Sequence, residues 1–208
     1  MTRVAVATTS AIAADAARQV AAAGGNAVDC ALATALMSMN TEPGVCALAG
    51  GAYVTVWAPG HDPVTFDGNH AVPGRGLPDE QRGGGRVDVR LDYGGGVSTI
   101  VGPGSVATPG GFKALAEAAE RYGRLPWREL LQPAIAAARD GFPLSASSDA
   151  YLEHALEPIY GVDPRYVGEA VRRLVGDGKV DHIDLNFGCP VRKVTRKGGG
   201  AAIPARPR

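Results

Sequence analysis

The tripeptide Gly24–Gly25–Asn26 constrains this chain more than any other short stretch in it. Successive glycines leave a helix through left-handed backbone at little steric cost, and an asparagine directly behind them is a favoured first cap of the next helix. The flanks support both readings. Ser10 is a capping residue ahead of the Ala-rich run before Gly24. Asp29 falls in the first turn of NAVDCALATALMSM, where the helix dipole favours an anion. This second helix is rich in Ala, Thr and Ser, so it permits close backbone approach by a neighbour.

The remaining pattern is mixed. VAVAT (4–8) predicts a short apolar strand. GAYVTVWA (51–58) alternates as a strand, and VTF (64–66) follows across APGHDP, which predicts an antiparallel hairpin. Residues 67–107 are Gly-rich, with GGG twice, and read mostly as loop. Thr108–Pro109 predicts a helix start, FKALAEAAERY its body and Gly123 its stop. Pro126 opens WRELLQPAIAAARD, with a kink expected at Pro133 and an end at Gly141. Residues 143–165 are polar enough to be exposed. Asp163–Pro164 then starts RYVGEAVRRLV, and VDHIDLNF reads as a strand. Helices and strands interleave, so the class is α/β.

The formal net charge is zero, but its distribution is not even. Residues 1–184 carry 15 Lys/Arg against 21 Asp/Glu, whereas 185–208 carry six Lys/Arg and no acid. The three cysteines, Cys30, Cys46 and Cys189, show no CxxC spacing, which argues against a disulfide framework or zinc site and fits a reducing compartment. The four histidines are scattered, so no metal is expected. Asp15 and Arg18 interrupt the apolar N-terminus, so neither signal peptide nor membrane span is expected, and the localisation reads as cytoplasmic.

GGNAVDCALATALMSMNTEPG, followed by CALAGGAYVTVW, resembles the opening of the gamma-glutamyltransferase family. VGPGSVATPGGFKAL and YGRLPWRELLQPAIAAARDGFPLS form a second block of the same resemblance, which runs over about residues 4–157. It implies part of the four-layer αββα sandwich of N-terminal-nucleophile hydrolases. It also implies transfer or hydrolysis of the γ-glutamyl group of a glutathione-like donor by a threonine whose own amine is the base. That threonine belongs to a later part of the family sequence, so the resemblance implies a fragment inactive alone. Thr8–Thr9–Ser10 reads as a capping turn, not as the cleavage site. For the donor α-carboxylate the family uses an arginine after a proline turn. Arg75 in DGNHAVPGRGLPDE is the nearest candidate, although its spacing from Pro73 departs from the pattern. A solvated loop arginine is the alternative reading. Glu42 and Pro43 read as structural turn residues.

YGVDPRYVGEAVRRLVGDGKVDHIDLNFGCPVRKVTRKGGGAAIP, about residues 160–204, resembles a second family, the flavin-dependent tRNA-dihydrouridine synthases. This resemblance implies a short helix–strand piece of a TIM barrel, with FMN as cofactor if it is functional. Cys189 would be the general acid and Asn186 would bind the uracil, both at a strand's C-terminal end. Arg192, Lys193, Arg196 and Lys197 would meet RNA phosphates, weakly and without regard to sequence. A small buried thiol and a solvated charged tail are the alternatives for Cys189 and the basic cluster. Pro158 stands where that family carries a flavin-contacting glutamine, so the join falls near Tyr160. The expected organisation is a transferase-like part over 1–158 and a synthase-like part over 159–208, with no cofactor needed by the first. Three functions follow: a truncated γ-glutamyl transferase, a tRNA-dihydrouridine synthase, or a non-catalytic fusion product.

Overall fold

The computed structural model describes residues 3–81, 84–155 and 158–159. The expected helix over 165–175, the strand over 180–187 and the barrel piece they would form lie outside them. The chain divides into two compact units, the first ending at Leu152 and the second beginning at Glu153.

The first unit is built from the helices α1 (Ala11–Ala22), α2 (Ala27–Thr41), α3 (Gly111–Tyr122) and α4 (Trp127–Asp140), and two hairpins. Ser10 caps α1 by accepting the Ala13 N–H at 3.3 Å. Gly24, at φ +93°, ends that helix, and its N–H donates to the Ala21 carbonyl. Gly25 is needed for a different reason. A Cβ there would stand 2.7 Å from Val20 Cγ1 and 2.9 Å from the Val20 carbonyl oxygen. Asn26 and Asp29 then form a reciprocal capping box on α2, side chain to backbone in both directions. The predicted pair of helices therefore forms as read, and the two pack against each other.

α2 also packs against α3 and α4, so the four helices make one layer. Its core is Val20, Cys30, Leu32, Leu36, Leu115 and Leu130, with small alanines between them. The alanines Ala13, Ala16 and Ala17 of α1 are buried, which lets the helix axes approach closely. Pro133 lies inside α4 and is buried; the helix continues through it to Asp140.

β1 (Ala52–Val56) and β2 (Val64–Gly68) pair antiparallel, with Val54 opposite Phe66 and Val56 opposite Val64. Val54 and Phe66 turn towards the helical core, and Phe66 meets Tyr122 edge-on at 6.0 Å. α3 packs directly on both strands. That contact needs glycine, because a Cβ on Gly68 would fall 2.6 Å from Ala114 Cβ. The opposite face carries Tyr53, Thr55, Thr65 and Asp67, all exposed. Mixed helices and strands bear out the α/β class.

Four expectations differ from the structure. Residues 4–8 form no strand; Val4 packs on the helical cluster instead, and a strand without a partner has unpaired backbone. The Gly-rich stretch 67–107 contains a hairpin, β3 (Val87–Leu91) with β4 (Val97–Val101), in which Val89 faces Thr99. Gly94, Gly95 and Gly96, all at positive φ, make its turn. α3 starts at Gly111, not at Thr108, because the Thr108 backbone is committed to a β-bridge with Ala71. Finally, α5 (Ala146–Ala155) forms in a stretch where no helix was expected, although Ala146, Ser147, Asp149 and Ala150 are exposed as read. Ser145 caps it by accepting the Ser148 N–H at 3.1 Å, and Ser148 is fully buried.

Candidate functional site

Three loop systems converge at the start of α3. A Cβ on Gly110 would lie 2.6 Å from the Asn69 carbonyl, and one on Gly111 would lie 2.9 Å from the Gly50 carbonyl. Gly51 sits against the His70 ring, where an added Cβ would come within 2.9 Å of Nδ1. Backbones thus touch directly, and glycine is the residue that permits it. The Asp67 carboxylate accepts the Asn69 N–H at 2.9 Å and sets the turn that leaves β2. From this junction the chain runs into the loop bearing Arg75.

Arg75 is exposed in a turn flanked by Gly74 and Gly76, both at positive φ. Its guanidinium has no ion pair among the described residues, which are joined instead by Arg18–Asp15, Arg86–Asp88 and Lys113–Glu117. Asn186, Cys189, Arg192, Lys193, Arg196 and Lys197 lie outside the described residues. So does Tyr160, where the join is expected.

A second cluster surrounds the turn after α2. Glu42 closes that helix and is only 4% exposed. Its carboxylate accepts one long hydrogen bond, from the Thr9 hydroxyl at 3.5 Å. Its carbonyl accepts the N–H groups of Val45 and Cys46, both at 3.1 Å. The Cys46 thiol is held above its ordinary value, first by burial and then by the Glu42 charge. The Tyr151 ring of α5 lies directly on Gly44 and meets Tyr93 of the β3–β4 turn edge-on at 5.9 Å. Sequence reading treated Glu42 as a turn residue. The signal available was a carboxylate directly after a long helix, the end at which the dipole disfavours an anion.

Thr8, Thr9 and Ser10 behave as the capping reading expects. Ser10 caps α1, and the Thr8 hydroxyl accepts the Ser10 N–H at 3.4 Å. Two open grooves flank α4, one lined by Gln19, Glu129, Gln132 and Arg139 and the other by Glu120, Arg124 and Trp127. Neither holds Arg75 or Glu42. Among the described residues no helix is long and apolar enough to cross a membrane.

A helical layer laid on an antiparallel hairpin is found in the N-terminal-nucleophile hydrolases. The solved gamma-glutamyltranspeptidase of Helicobacter pylori matches 79% of this chain and 46% of its own, with a TM-score of 0.62 at 21% identity. The family model for gamma-glutamyltranspeptidase matches residues 13–173, and the chain belongs to that family. The glutathione hydrolase proenzyme of Pseudomonas aeruginosa is 34% identical over 148 residues, 70% of this chain and 25% of the relative. Residues 149–208 match a different family model, dihydrouridine synthase (Dus). There a probable tRNA-dihydrouridine synthase of Mycobacterium tuberculosis is 56% identical over 50 residues, 24% of this chain and 13% of the relative. The chain thus spans less than a third of the length of the curated relatives it matches here. The two family matches overlap over residues 149–173.

Proposed function

We propose that the first 158 residues serve γ-glutamyl transfer or hydrolysis as a scaffold layer with a donor contact, and are not a catalyst by themselves. The observation that carries this reading is the state of the hydroxyl groups near the N-terminus. Ser10 is engaged as a helix cap, and Thr9 makes one long bond to Glu42 while its own nitrogen is held in a peptide bond, so neither has the free amine that activates a threonine nucleophile in this chemistry. Arg75 is the donor contact in this reading. It is exposed and free of ion pairs, and its planar fork suits a carboxylate. The 208-residue chain should release no nitroaniline from γ-glutamyl-p-nitroanilide above the buffer rate and should run as one chain of 21.3 kDa. Two fragments by mass spectrometry, one beginning with threonine, would overturn the reading. Where glutamate binding is measurable by calorimetry, Arg75→Ala should weaken it by about 1.5–3 kcal/mol, the worth of a charge-assisted pair. An unchanged affinity would remove Arg75 from the role.

The identity of the C-terminal stretch to tRNA-dihydrouridine synthases favours a second reading, a fusion in which residues 159–208 are a piece of such an enzyme. In that family FMN would supply hydride. Asn186 would hold the base, Cys189 would hold the proton to be delivered, and Arg192, Lys193, Arg196 and Lys197 would meet phosphates. The helix and strand expected over 165–187 would not by themselves close a barrel, and function lives in the assembled site. The protein should therefore purify colourless and form no dihydrouridine on tRNA with added FMN and reductant. A yellow preparation with stoichiometric flavin would show the opposite.

A further inference from the structure

Glu42 occupies a position that is unfavourable three times over. It is 4% exposed, and a buried carboxylate loses its hydration. It closes α2, so it adds a negative charge to the negative end of the helix dipole. No Lys, Arg or His pairs with it among the described residues, and its single side-chain hydrogen bond, from Thr9, is long at 3.5 Å. Packing alone would favour a neutral residue there.

The surroundings offer oxygen ligands and exclude bulk. Thr9 presents a hydroxyl to the carboxylate. Tyr151 of α5 lies over Gly44, two residues beyond Glu42. A carboxylate this buried, with one long hydrogen bond and no ion pair among the described residues, is the complement of a small positive ion.

We propose that Glu42, with the Thr9 hydroxyl, forms a site for a small monovalent cation at the C-terminal end of α2, filled by a primary ammonium group or an alkali ion. The cation neutralises both the carboxylate and the helix end. The site stands independently of γ-glutamyl chemistry.

Thermal unfolding of the 208-residue chain tests this in methylammonium, potassium or sodium chloride, each against an equal concentration of tetramethylammonium chloride. The last salt matches the ionic strength but is too large and has no N–H to donate. The melting temperature should rise in at least one of the first three. A response to methylammonium alone assigns an organic amine; an equal or larger one to potassium or sodium assigns an inorganic ion. In Glu42→Gln the half-effect concentration should rise about tenfold to a hundredfold, as expected for loss of a charged partner. Thr9→Ala, a surface change that leaves the fold intact, should raise it less, and Glu117→Gln not at all. Equal melting in all four salts would overturn the site, as would a Glu42→Gln variant that responds like the parent.

Discussion

Replacing Asp29 by alanine should lower the stability of the chain by about 3–4 kcal/mol, seen as a fall in urea midpoint at unchanged slope. Asp29 is fully buried, and its carboxylate accepts the N–H groups of Asn26 at 2.8 Å, Arg124 at 3.0 Å and Leu125 at 3.3 Å. Beside it, Asn26 donates through Nδ2 to the Tyr122 carbonyl at 2.8 Å. Two turns separated by nearly a hundred residues are thereby tied together, the α1–α2 turn and the α3–α4 turn. A net contribution of roughly 1.5–3 kcal/mol per bond to a charged group would sum to more than the expected loss. The sum overstates it because the bonds share one acceptor and water enters the vacated space. Asp29→Asn should cost less, since the amide keeps one acceptor. Arg124→Ala should change stability by less than about 1 kcal/mol, because Arg124 holds Asp29 through its backbone and its exposed side chain adds one long bond, to the Gly24 carbonyl at 3.4 Å. If Arg124→Ala proved as damaging as Asp29→Ala, the clamp would not be the cause.

Gly44→Ala should cost about 2–4 kcal/mol and loosen α5. Gly44 has φ +85°, where an L side chain is strained by about 1–2 kcal/mol. The added methyl would also enter the space of the Tyr151 ring, which must shift and give up its contact with Tyr93. The steric part should vanish when the ring is removed. Gly44→Ala in a Tyr151→Ala background should therefore cost about 1–2 kcal/mol less than in the parent. Chemical denaturation of the four variants measures that coupling. Strict additivity would mean that the ring and the turn do not constrain each other.

Much of the helical layer was legible because its signals are local. Gly24, Asn26, Gly123 and Gly141 punctuate helices through backbone conformation and capping, which depend on a few neighbouring residues. The β1–β2 hairpin was legible for the same reason, from strict alternation. What escaped depended on distant partners. Val87–Leu91 and Val97–Val101 look weak alone between glycines, and each becomes a strand through the other. VAVAT looks like a strand but pairs with none among the described residues. Thr108 looks like a helix start, but Ala71 claims its backbone.

The candidate site divides along the same line. Arg75 could be named from the sequence through family resemblance, and the structure adds its exposure and the lack of an ion pair among the described residues. Glu42 was dismissed as a turn residue, since nothing adjacent in the chain shows that its carboxylate is buried. By itself the sequence determined the bounds of α1, α2 and α4, the end of α3, and the families to which its two stretches are similar. Only the tertiary structure decided which glycines are needed for close approach, which carboxylate is clamped and which is buried without an ion pair among the described residues. Conformational preference is set within a few residues, whereas burial and charge compensation are properties of what the rest of the chain brings alongside.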